Sequence, residues 1–133
     1  MANAYDAAGR PTPTEIRLKS AEKALEVDFA DGKKFRFNAE FLRVYSPSAE
    51  VRGHGPGQRV VVPGRRHVNI MGIEPVGSYA VVLKFDDLHD TGIFSWEYFY
   101  TTGPEQDRMW AEYERELATK GLSRDPPART TKK

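Results

Sequence analysis

Polar and apolar residues alternate along the first third of the chain. Charges separate Ile16 from Leu18, and Leu25, Val27 and Phe29 alternate with Glu26 and Asp28. A period of two places one set of side chains on one face of a β-strand. Asp31-Gly32 interrupts, and Phe35 and Phe37 then resume between Lys34 and Arg36. Asp-Gly supplies the positive φ that a tight hairpin turn needs, so a hairpin is expected over about residues 24–37. A second hairpin is expected over about residues 68–85. Val68, Ile70 and Ile73 lead to a turn at Pro75-Val76-Gly77-Ser78, and Tyr79-Ala80-Val81-Val82-Leu83-Lys84-Phe85 returns. That return run is almost continuously apolar, which predicts a central strand covered on both faces.

The period changes towards the C-terminus. Met109, Tyr113 and Leu117 recur every four residues beside Trp110, giving one apolar helix face. Thr102-Gly103-Pro104-Glu105 has capping-box spacing, with Thr102 as N-cap, and Gly121 is a suitable stop. A helix over about residues 104–120 is expected. Short helices are expected near 39–43, with Asn38 as cap, and near 94–100. The segment Phe94–Tyr100 also fits strand alternation, and the helix or turn packed on the sheet is favoured. The class is α+β: antiparallel sheets from two hairpins, in two layers with the C-terminal helix on one face.

Composition narrows the picture. A chain of 133 residues fits one domain with a modest core. Residues 1–13 and 121–133 are polar, Pro-containing and, at Arg129–Lys133, basic, so they are expected to be flexible tails around a domain at 14–120. The net charge of +1 provides no global field for nucleic acid or an anionic membrane. No cysteine is present, which removes disulfides, thiolate metal ligation and cysteine catalysis from the chain. No apolar run approaches the roughly 20 residues of a membrane span, and no signal-peptide layout opens the sequence. The expected location is the cytoplasm.

Residues Ser46–His67 are rich in Gly and Pro and form a long loop. The loop carries Arg52, Arg59, Arg65 and Arg66 with His54 and His67, and no acidic residue lies between Glu50 and Glu74. Two readings stand: a docking or anion-contacting surface, or a solvated loop whose arginines pair with nearby acids. Gly53-His54-Gly55-Pro56-Gly57 is not a dinucleotide loop, because its spacing is wrong and no helix follows.

The candidate chemistry centres on Asp86-Asp87-Leu88-His89-Asp90, followed at once by the aromatic run from Phe94 to Tyr100. Imidazole and carboxylates are plausible donors for a divalent ion, but a structural zinc site has four protein ligands and this local set is incomplete. The favoured reading of the residues is a half-buried histidine with its ring nitrogens bonded to backbone, and Asp90 and Thr91 as turn residues ahead of Gly92. No serine and histidine are spaced so as to predict a nucleophilic pair.

Four ordered motifs then point to a family. They are Phe41-Leu42-Arg43, Ser46-Pro47-Ser48-Ala49-Glu50-Val51, Gly72-Ile73-Glu74-Pro75-Val76-Gly77-Ser78-Tyr79-Ala80 and His89-Asp90-Thr91-Gly92-Ile93-Phe94-Ser95-Trp96. Over roughly residues 14–103 the chain resembles the gamma-butyrobetaine hydroxylase-like N-terminal domain family. Members occur as small stand-alone bacterial proteins of unknown function, at the front of gamma-butyrobetaine and trimethyllysine hydroxylases, and appended to Mrp-type ATPases carrying iron–sulfur clusters. In the hydroxylases the domain is β-rich and holds a structural zinc through three cysteines and a later histidine. The resemblance places Ser46, Ser48 and Val51 at the cysteine positions and keeps the histidine as His89. It therefore implies a degenerate metal site. It also implies that the iron and 2-oxoglutarate chemistry lies in a domain this chain does not contain. His89 is expected to lie near Ser46 and Ser48 without an ion.

Three functional readings follow. The favoured one is a non-catalytic binding module acting through the basic loop and the aromatic corner at Trp96, with a protein partner of iron–sulfur or metalloprotein assembly. No specific nucleic acid, membrane or resident cofactor is expected. The alternatives are a metal-binding protein holding zinc or iron through His89 and neighbouring aspartates, and a small enzyme with His89 as acid/base.

Overall fold

The alternation at the start of the chain becomes a β-meander, and the same arrangement is repeated once. The computed structural model describes Gly9, residues 11–48, Val51 and residues 59–127. Among these, β1 (Pro13–Lys19), β2 (Ala24–Phe29) and β3 (Lys34–Asn38) form one antiparallel sheet in the order β1-β2-β3. Helix α1 (Ala39–Val44) follows directly. A second sheet holds β4 (Ile70–Val76), β5 (Ala80–Phe85) and β6 (Ile93–Ser95) in the order β4-β5-β6, and α2 (Trp96–Thr102) follows it. The last helix is α3 (Gln106–Lys120).

The two βββα units also start their helices alike. Asn38 Oδ1 accepts from the Phe41 N–H, and Ser95 Oγ accepts from the Tyr98 N–H. Each cap satisfies a backbone donor that has no partner within the helix. Both hairpin turns reach positive φ through a glycine. Gly32 sits at φ +94°, with Asp31 Oδ1 accepting from Lys33 N–H. In the second unit Gly77 takes φ +51°.

One core joins the units. Leu25, Val27, Phe37 and Leu42 come from the first, and Ile70, Leu83, Phe85, Phe94 and Phe99 from the second. Phe37 lies 5.4 Å from Phe99, ring centre to ring centre. Burying each such side chain is worth about 1.5–3 kcal/mol relative to exposure. A smaller cluster of Val44, Val51, Val62, Tyr113 and Leu117 packs beneath α3. No described helix is long and apolar enough to cross a membrane.

The α+β class and the two hairpins are as expected, and several details are corrected. The first hairpin gains β1 as a third strand, registered from Lys19 opposite Ala24 to Pro13 opposite Phe29. Pro75 and Val76 are strand residues, paired with Val81 and Ala80, and not turn residues. Proline is tolerated there because β4 is an edge strand. The run Phe94–Tyr100 is divided between β6 and α2 at Ser95. Thr102 is not an N-cap. It has helical φ and ψ and makes no side-chain capping bond, because α2 passes through a 3₁₀ turn (Gly103–Glu105) into α3 without releasing its backbone. Gly103 is needed in that turn for contact, since a Cβ there would meet the Phe35 ring at 2.4 Å.

Strand β5 is central, but only one face is covered. Val81, Leu83 and Phe85 are buried, whereas Val82 and Lys84 are half-exposed. The domain also extends past 120. Gly64 N–H donates to Ser123 O at 2.9 Å and Arg66 N–H to Arg124 O at 3.0 Å. Arg124 then holds the buried Glu40 carboxylate with two hydrogen bonds of 2.9 and 2.7 Å and lies 5.1 Å above the Trp110 ring. Residues 121–127 are therefore a strap and not a tail. The basic finish at Arg129–Lys133 and residues 1–8 lie outside the described residues.

Candidate functional site

His89 stands on the connection between β5 and β6, at the end of a tight turn. Leu88 N–H and Asp86 N–H donate to Phe85 O and Asn69 O, and Phe85 N–H donates to His89 O at 3.0 Å. The turn requires Leu88 to adopt φ +73°, a left-handed conformation uncommon for a residue with a side chain. The Asp87 carboxylate accepts from the His89 N–H at 3.1 Å, so the backbone that carries the ring is fixed from both sides.

The opposite wall comes from the segment after α1. Tyr98 O–H on α2 donates to Tyr45 O at 2.9 Å, which anchors the chain just before Ser46. Ser46 Oγ then lies 2.9 Å from His89 Nε2 and Ser48 Oγ lies 3.4 Å from it. Ser46 Oγ also accepts from Ser48 N–H at 3.3 Å. All three side chains are buried: Ser46 is 1% exposed, and Ser48 and His89 are each 6% exposed. Residues more than forty positions apart thus meet around one imidazole nitrogen. Gly92 permits the approach, because a Cβ there would sit 2.3 Å from Ser46 Oγ.

Val51 takes no part in this contact and packs in the smaller core with Val62 and Tyr113. Neutral hydroxyls and an alkyl side chain do not fit the donor set of a structural zinc ion, which takes thiolates, imidazoles and carboxylates. Nor do the nearby aspartates complete one. Asp87 Oδ2 accepts from Arg43 Nε at 2.7 Å and forms an ion pair with Arg65 Nε at 2.6 Å. The Arg65 contact lacks hydrogen-bond alignment, so it is charge attraction alone. Burial raises the Asp87 carboxyl, but the Arg43 and His89 N–H hydrogen bonds and both arginine charges outweigh it and hold it below the ordinary range. Asp86 Oδ1 accepts from Asn69 N–H. Among the described residues no group of three His, Asp or Glu side chains is placed to share an ion.

The described arginines of the basic loop are committed as well. Arg59 pairs with Glu116 and lies 4.4 Å above the Tyr45 ring. Arg66 pairs with Asp125 in the strap, and Arg65 with Asp87. Arg52 and His54 lie outside the described residues. Trp96 is half-buried, packs against the main core and donates from Nε1 to Ser78 O at 2.8 Å. Reading the sequence missed the Ser95 cap, the Arg43–Asp87 pair and the strap. Arg43 and Asp87 are forty-four positions apart, and no local pattern joins them.

Comparison with known proteins agrees with the motifs. No curated protein matches the chain. Two NMR solution structures are similar, one at 44% identity with TM-score 0.75, covering 92% of this chain and 96% of that one. The other is 41% identical with TM-score 0.78 and covers 98% of both chains. A crystal structure from Acidithiobacillus ferrooxidans, of a protein with unknown function in the DUF971 family, is 43% identical with TM-score 0.56. That match covers 66% of this chain and 88% of the other. The family model for "Gamma-butyrobetaine hydroxylase-like, N-terminal" matches residues 16–100, and the chain belongs to that family.

Proposed function

We propose that the chain is a non-catalytic binding module that works on a protein partner, with assistance to iron–sulfur or other metalloprotein maturation as the process it serves. The observation that supports this reading is the Ser46–His89–Ser48 contact. Imidazole Nε2 is engaged by two buried hydroxyls. A general acid or base must reach its substrate, and at 6% exposure His89 reaches none. The clefts at Phe41–Trp110 and at Arg65–His67 do not include it. The contact ties the segment after α1 to the β5–β6 connection, which is a structural task.

Dialysis against Zn²⁺ or Fe²⁺ followed by elemental analysis tests the reading. The expected result is substoichiometric metal, equal in wild type and His89→Ala. One equivalent of metal that disappears in His89→Ala overturns it in favour of a metal-binding protein.

A further inference from the structure

The two sheets finish their outer faces differently. On sheet 1 the acids of β2 lie between the bases of β1 and β3. Arg17 reaches Glu26 at 2.9 Å and Asp28 at 3.0 Å, Lys34 reaches Asp28 at 3.1 Å, and Arg36 reaches Glu26 at 2.7 Å. That face is charged, balanced and internally paired. None of the large exposed apolar side chains among the described residues comes from it.

Sheet 2 has the opposite finish. Since Val81, Leu83, Phe85 and Phe94 enter the core, Val82 and its cross-strand partners Glu74 and Ile93 face away from it. Ile93 is 45% exposed, and Met71, in the irregularity of β4, is 66% exposed. At the ends of the sheet Tyr79 is 54% and Leu88 83% exposed. Leu88 is presented by a backbone in the left-handed region. Holding a leucine there costs of order 1 kcal/mol and recovers no burial. Charge is one-sided too. From β4 to the end of α2 the chain carries Glu74, Asp86, Asp87, Asp90 and Glu97 against Lys84 alone. Lys84 is taken by Glu74 at 2.9 Å and Asp87 by Arg43 and Arg65, so the exposed acids beside Leu88 are Asp86 and Asp90.

We propose that the outer face of sheet 2, from Met71 across Val82 and Ile93 to Leu88, docks a basic amphipathic segment of a partner protein. Apolar side chains of that segment cover Ile93, Met71 and Leu88, and its lysines or arginines meet Asp86 and Asp90. The charge excess selects the occupant. A phosphate backbone or anionic lipid is repelled by this surface, and the same face of a second copy repels it by like charge. The inference rests on the binding-module reading and adds the surface and the chemistry of the partner.

The test titrates the full-length protein with a fluorescein-labelled amphipathic Lys/Leu peptide, followed by anisotropy, with a Glu/Leu peptide of equal length beside it. The expected result is saturable, salt-sensitive binding of the Lys/Leu peptide alone. The double variant Asp90→Lys, Ile93→Lys weakens it at least tenfold, and Lys34→Glu on sheet 1 leaves it within about twofold. Leu88→Gly, which suits the turn and keeps the fold, also weakens binding. Equal binding of both peptides, no binding, or indifference to these variants overturns the proposal. So does self-association in sedimentation equilibrium that Ile93→Lys abolishes, because a second copy is then the occupant. Crosslinking in cells separates this failure from that of the underlying reading. A partner held elsewhere than on sheet 2 overturns the surface only, whereas stoichiometric metal lost in His89→Ala overturns the module.

Discussion

The first βββα unit and the second share strand order, helix placement and cap position, yet one is a finished surface and the other is not. Between Pro13 and Val44 acids and bases alternate across strands, and Arg17 above all holds Asp28 below the ordinary carboxylate range. Between Ile70 and Thr102 acids outnumber the one lysine, and Met71, Tyr79, Leu88 and Ile93 are exposed. Architecture of this kind is set by what faces the core. The outward positions are free to vary, and they are where two copies of one plan take different work.

The comparison breaks most severely where the units meet. Phe37 is fully buried against Phe41 and Phe99. Phe37→Ala is expected to cost about 3–5 kcal/mol in urea unfolding, with both units melting together. Two separate transitions would show that the units are independent and the shared core unimportant.

The serine–histidine contact is the next link. His89→Ala leaves two buried hydroxyls without their partner and is expected to cost about 1–3 kcal/mol. Gly92→Ala should loosen the same contact by displacing Ser46, so its loss and that of His89→Ala add to less than their sum. Full additivity in the double variant refutes the link.

Tyr113 lies outside both units and probes the smaller core through pH. Burial pushes its phenol up to about 12, and its hydroxyl donates to Val62 O at 2.5 Å. The unfolded chain ionises near pH 10 while the folded one resists. Stability is therefore present below about pH 10 and falls between about pH 10 and 12. Thermal melts across that window should show the fall in wild type and a smaller one in Tyr113→Phe.

The caps provide the finest measure. Asn38→Ala and Ser95→Ala should each cost about 1 kcal/mol. Matching losses in the same unfolding assay support equivalence of the units, and a silent Ser95→Ala removes it.

Much of the first unit was legible in the sequence because its outward positions are charged, so the period of two stands out from Leu25 to Phe37. In the second, Pro75 disguised a strand end as a turn, and only its edge position permits it. Thr102 had the right neighbours for a cap, but capping depends on whether the preceding backbone is helical, and spacing does not report that. The meeting of His89 with Ser46 was visible through family resemblance alone. Nothing local in either segment encodes a contact across forty-three positions.

The Arg124–Glu40 pair has a consequence in time. Helix α1 is synthesised early, yet the guanidinium that neutralises its buried carboxylate arrives eighty-four residues later. Until Arg124 has left the ribosome, Glu40 lacks this counter-charge and the strap cannot close. Final locking of the first unit therefore waits for the strap, and a chain cut at Lys120 keeps the buried Glu40 without that partner.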